Sequence, residues 1–186
     1  MSRLLESIRA VLVAALLAAP GPVLAADYTD PDAVTALFES LKLATTPSQA
    51  ASIGDEIWQL WLTPNDPALA AQMAKLALAR TTGNLRAARS VLDQVVTAYP
   101  DYAEGWNQRA TLEYEMKDFP ASLADIDKTL AIEPRHFGAL AGRVLIYLAE
   151  DRHDDALKAM IAALAIHPYL SERLLFPELQ QDRIDL

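Results

Sequence analysis

The sequence predicts an all-α solenoid, in which one helical hairpin is used three times and stacked on itself. Three observations predict it. Pro100, Pro134 and Pro168 stand 34 residues apart, and a fixed period in the thirties marks a repeated supersecondary unit. Counting from Leu69, unit position 20 is Ala88, Ser122 and Ala156, position 24 is Leu92, Ile126 and Met160, and position 28 is Val96, Leu130 and Leu164. Steps of four draw one stripe along a helix. Between the two halves of each unit lie Thr82-Gly83-Asn84, Lys117-Asp118 and Glu150-Asp151-Arg152, where Gly83, Asn84 and Asp118 are helix-stop or N-cap types.

The first element is of another kind. Arg3 and Arg9 flank the start, an apolar run covers Ala10–Ala19, Pro20-Gly21-Pro22 breaks it, and Val23-Leu24-Ala25 offers a cleavage site. This is the layout of a secretory signal peptide over 1–25, cut after Ala25 or Ala26; the run is too short to span a membrane. Retention as an uncleaved anchor is the alternative. Cysteine is absent, which excludes disulfides, zinc–thiolate sites and a lipoprotein anchor. These features suit a bacterial periplasm or secretion.

Residues 27–68 read as a helical hairpin. Asp30-Pro31 opens one helix, with Val34, Leu37, Phe38 and Leu41 on its apolar face, and Thr46-Pro47 opens the next, carrying Ile53, Ile57, Trp58, Leu60 and Trp61. The segment misses the 34-residue register, since Gly54 and Trp61 fall on the two small positions. It is read as a divergent cap over the exposed end of the first unit, with both tryptophans in the core.

The units follow at 69–102, 103–136 and 137–170. A small residue at position 20 lets two helices approach, and the proline at position 32 ends each unit. Pro120 falls in a first helical turn, where its missing N–H costs nothing. After Pro168, residues 171–186 are too apolar for a free tail, with Leu174, Leu175, Phe176 and Leu179. They predict a C-terminal cap interrupted near Pro177. The alternative is that Phe176–Leu186 folds back into the groove and blocks it.

These residues resemble the tetratricopeptide repeat (TPR) family, most clearly at Trp106, Ala110, Asp118-Phe119, Ser122, Ile126, Leu130 and Pro134, then Leu140, Tyr147, Ala156, Ala163 and Pro168. The resemblance covers Leu69–Leu170. It implies a right-handed superhelix of paired antiparallel helices with a concave, protein- or peptide-binding face lined by each first helix. It departs at position 8, where Leu76 and Val144 replace a small residue, and at position 11, where Ala79 and Glu113 replace an aromatic one. Glu113 near the interior is expected to pair with Arg109, four residues earlier.

The resemblance also assigns groove residues. Unit one supplies Met73 and Arg80, unit two Asn107, Thr111, Tyr114 and Glu115, and unit three Ala141, Leu145 and Leu148. Asn107 is expected to engage a peptide backbone and Tyr114 to offer a ring with a polar tip. Leu145 and Leu148 form an apolar floor, unless the terminal segment covers them. The family's carboxylate clamp needs Lys and Asn at positions 5 and 9, then cations at 2 and 6 two units on. Here those positions hold Met73, Ala77, Gly138 and Gly142, so the groove is not that clamp.

No phosphate-binding loop, His-Glu-x-x-His or nucleophile elbow occurs in the sequence. His136, His153 and His167 share no helical face, and Asp125, Asp127 and Asp154-Asp155 read as solvated charge. Catalytic residues, metal and cofactor are therefore not expected. The formal charge is −9 over 186 residues. Losing 1–25 removes Arg3, Arg9 and Glu6, leaving −10 over 161 residues. An acidic chain without a basic block excludes nucleic acid and disfavours anionic membranes. The function expected is an exported scaffold that binds a peptide or protein segment, with no stable membrane anchor after cleavage. The alternative is a self-associating assembly factor of the cell envelope.

Overall fold

The structure is a computed structural model and describes residues 28–179. The leader expected at 1–25, its cleavage site and residues 180–186 lie outside the described residues. Among the described residues every regular element is helical.

Eight α-helices follow in order: α1 Pro31–Lys42, α2 Pro47–Leu62, α3 Pro67–Thr81, α4 Leu85–Ala98, α5 Ala103–Glu115, α6 Phe119–Ile132, α7 Phe137–Ala149 and α8 His153–Ile166. Two 3-10 turns, Ser171–Leu175 and Pro177–Leu179, end the described chain. Starts follow the sequence signals. Asp30 accepts from the N–H groups of Asp32 and Ala33 at 3.0 and 3.1 Å, Thr46 from Gln49 at 3.2 Å and Asp66 from Leu69 at 2.7 Å. Each of these caps precedes a proline at the first helical position, where φ is already set and no donor is lost.

The turn inside each repeat is the same three times. The N–H groups of Asn84, Asp118 and Arg152 donate to the carbonyls of Ala79, Glu113 and Tyr147, five residues back, at 2.8, 2.9 and 2.8 Å. Gly83, Lys117 and Asp151 take the left-handed position, with φ of 65°, 62° and 56°. This is the C-terminal motif that turns a helix back while satisfying its last carbonyls. Unit one uses glycine there; the other two hold a side chain in the same strained region.

The repeats pack helix on helix. Leu69, Leu76, Leu92 and Val95 form the first core, and Ala110, Ile126, Ala139 and Ile146 the second. Ser122, at the small position, donates from its hydroxyl to the Ala110 carbonyl at 2.7 Å, so α5 and α6 meet almost backbone to side chain.

The N-terminal hairpin goes elsewhere than expected. Its apolar side shares one core with unit three rather than covering unit one: Val34, Phe38, Ile57 and Trp61 are continuous with Phe137, Val144, Met160 and Phe176. Phe137 is the hinge of this contact, 5.4 Å from Trp58, 5.2 Å from Trp61 and 6.4 Å from Phe38, ring centre to ring centre. Trp61 stacks on His136 at 4.0 Å with planes 9° apart, and the Tyr102 hydroxyl donates to the Trp61 carbonyl at 2.6 Å. Burial raises the Tyr102 pKa far above its usual value, helped by the Glu104 charge, so the hydroxyl keeps its proton. Burying each of these aromatic side chains contributes about 2–3 kcal/mol. Tyr102, His136 and His167 all stand in or beside the turns between units. The hairpin therefore lies along the edge of the stack, across several units.

Charges between helices also differ from the sequence expectation. Glu113 pairs with Arg89 of α4 at 2.8 Å, not with Arg109. Arg109 instead forks onto Asp125 of α6, at 2.7 and 2.9 Å, and reaches Asp93 of α4 at 3.1 Å. Asp125 is buried, not a solvated exterior charge. Asp127, on the exposed side, pairs with Arg143.

Candidate functional site

A cavity of about 230 Å³ opens between α5 and α7. Side-chain size makes it. Ala110, Gly138, Ala141 and Gly142 face it with little or no side chain, while Ser122 and Ile126 of α6 lie behind. Asn107, Thr111 and Tyr114 line the α5 side, and Leu145 the α7 side. The structure thus brings together Asn107, Thr111, Tyr114, Ala141 and Leu145 from the expected set.

The other four are placed differently. Met73 and Arg80 line a neighbouring hollow of about 420 Å³ with Ala70, Ala77, Leu62 and Gln108. Glu115 sits outside the cavity and forms a two-pronged pair with Arg80, at 2.7 and 2.9 Å. Leu148 packs against the shared core of the hairpin and unit three.

The Asn107 amide is partly committed within the protein. It is buried, and its NH2 donates to Glu104 at 3.0 Å. Glu104, 1% exposed, is the centre of a closed polar cluster: it also accepts from Gln108 and stands 3.0 Å from His136 Nε2. His136 Nδ1 accepts from the Ala139 N–H at 3.2 Å and caps α7, so the hydrogen belongs on Nε2, where it donates to Glu104. A buried carboxylate surrounded by donors is the arrangement that makes such burial tolerable.

Two lining residues were not in the expected set. Trp58 comes from the hairpin and Glu172 from the C-terminal 3-10 turn. Trp58 can approach because Gly138 has no side chain: a Cβ there would stand 2.6 Å from the indole ring. Gly54 does the same for His167, at 3.2 Å. Nothing in the periodicity marks either residue, since both lie outside the repeats. The C-terminal segment buries Phe176 completely, beside His153 at 5.6 Å, and Glu178 bonds His153 at 2.7 Å. Through Phe176 it packs on unit three as a cap, and among its described residues Glu172 reaches the groove; residues 180–186, which would complete the alternative of a segment folded back into the groove, lie outside the described residues.

On another side, an open hollow of about 940 Å³ runs along α4, past Leu85, Arg89, Asp93 and Tyr99 to Met116. It is separate from the concave cavity. No group of three or more metal-ligating side chains occurs among the described residues.

A TPR repeat-containing protein of Rhizobium etli is 38% identical over 132 residues, spanning 71% of this chain and 65% of that protein. In sequence the chain is similar to a tetratricopeptide-repeat protein, and its fold is of that type. A Drosophila melanogaster BBSome complex member BBS4 homolog is 25% identical over 88 residues, 47% of this chain and 18% of its own length. The chain therefore spans less than two thirds of these relatives. No family model matches. Among solved structures, the TPR2B-domain:pHsp70-complex of yeast Sti1 aligns with a TM-score of 0.52 at 18% identity, covering 61% of this chain and 90% of that one. A crystal structure of MamA aligns at 0.51 and 20% identity, covering 75% and 81%. At these identities the solved structures show the fold alone, a stack of TPR-type helical hairpins.

Proposed function

We propose that this protein is exported and holds a peptide or protein segment of a partner in the cavity between α5 and α7. The observation that carries the reading is the meeting of Thr111, Tyr114, Ala141 and Leu145 around one cavity on the first helices of neighbouring units. A concave site with an apolar lining and a few polar groups is the usual form of a recognition pocket. The similar fold of the yeast Sti1 TPR2B domain, solved as a complex with pHsp70, supports partner binding as the mode. The partner differs in kind, because the clamp positions here hold Met73, Ala77, Gly138 and Gly142.

Export rests on the leader pattern at 1–25, and its check is direct: the amino terminus of the protein recovered from periplasm begins at Ala26 or Asp27. The groove is tested by recovery of partners from that extract with the native protein and with a Tyr114→Ala/Leu145→Ala variant. Loss of a partner with the variant supports the groove, and equal recovery contradicts it. Self-association is favoured by one feature, the exposure of Ile161, Leu174 and Leu175 on α8 and the segment after it. Light scattering decides it, since a monomer at all working concentrations removes that reading.

A further inference from the structure

We propose that the cavity selects a segment in which an aliphatic side chain adjoins a lysine or arginine, with Glu172 as the residue that reads the cation. This rests on the groove reading above and names the chemistry of its ligand.

The cavity itself asks for an apolar group. Trp58, Ile126 and Leu145 face it, and its roughly 230 Å³ suits one or two side chains rather than a helix. The charges around it are almost all committed. Arg80 holds Glu115, Arg143 holds Asp127, and Glu104 is surrounded by His136, Asn107 and Gln108. Glu172 is the exception. Among the described residues no cation pairs with it, and its carboxylate accepts only the Ser171 hydroxyl at 3.2 Å. His167 lies close enough to feel its charge, but burial lowers the His167 pKa and keeps the ring neutral near pH 7.

An unpaired carboxylate at an apolar cavity, in a chain of net charge −9, repels acidic segments and attracts basic ones. The cation it would meet must sit within a residue or two of the buried aliphatic group, because both features belong to one small cavity. This also reverses the polarity of an acidic-tail clamp, since no clamp cation is present at positions 73, 77, 138 and 142.

The test uses the full mature chain and three dye-labelled peptides with identical Gly-Ser flanks, carrying Leu-Lys, Leu-Ala or Leu-Glu. Fluorescence anisotropy should rank Leu-Lys tightest, by about three- to five-fold over Leu-Ala, as an exposed charge pair gives, with the gap closing in high salt. Glu172→Gln should erase the gap and leave Leu-Ala binding unchanged, with an unaltered melting curve. Equal binding of Leu-Lys and Leu-Ala to the native chain, both abolished by Leu145→Asp, would overturn this inference and leave the groove reading intact. If no peptide binds, or if Leu145→Asp changes nothing, the groove reading fails and this inference with it.

Discussion

At the residue scale, the three repeats differ most usefully at the left-handed turn position. Gly83 occupies it without strain, whereas Lys117 holds φ of 62° with a full side chain. A side chain in that region costs about 1 kcal/mol. Lys117→Gly should therefore raise the melting temperature by about 2–4 °C, and Gly83→Ala should lower it by a similar amount. Glu113 is the second residue-scale case. Burial raises its pKa, outweighing the attraction of Arg89, and its Oε2 finds no hydrogen bond. The folded state thus binds this proton more tightly than the unfolded chain does. The group's contribution is most favourable at acid pH and is lost as pH rises from about 4.5 through the raised value. Glu113→Gln should flatten that part of the stability–pH curve and add about 1 kcal/mol at pH 7, measured by urea unfolding at several pH values. The sequence placed Glu113 near the interior correctly but gave it the wrong partner. An i,i+4 rule sees only one helix, while the actual partners of Arg109 stand sixteen residues away on each side, one in α4 and one in α6.

At the element scale, the helices of the repeats were legible because they carry their own punctuation: a stripe and a stop at fixed spacing, and a side-chain cap on α3, α4, α6 and α7. The destination of α1 and α2 was not. The hairpin's contacts join Trp58 to Gly138 and Gly54 to His167, pairs far apart in sequence with no period to reveal them. A glycine that receives an indole looks, in sequence, like any glycine in a helix. Gly138→Ala tests this contact: with Cβ 2.6 Å from the ring, Trp58 must move. The variant should lose about 1–3 kcal/mol and shift the tryptophan emission to the red. Unchanged emission and stability would mean that the hairpin is not seated on α7. The C-terminal segment was legible in part: its apolar residues predicted a cap, and Phe176 makes one, but the Glu172 position in the groove follows from the 3-10 turn, which no pattern announced.

At the scale of the whole molecule, the hairpin and unit three share a continuous core through Phe137. Repeat arrays are ordinarily held by nearest-neighbour contacts alone. Here the first two described helices meet the third repeat, so contacts in the described stack reach beyond nearest neighbours. Removing α1 and α2 by starting the chain at Asp66 should expose Phe137 and Trp58's seat at Gly138, lower the urea midpoint and broaden the transition. The same contact carries the functional claim, because Trp58 brings a wall to the cavity that the repeats alone do not supply. The site is then a joint product of the repeats, the hairpin and the C-terminal turn, and only the repeats' share was readable in advance.

The most direct measurement places a photoreactive phenylalanine at position 145, in the cavity, or at position 161, exposed on α8, and irradiates the protein in its native cell. The account predicts a partner adduct from position 145 and none from position 161. An adduct from position 161 alone, or the same adduct from both, would contradict it.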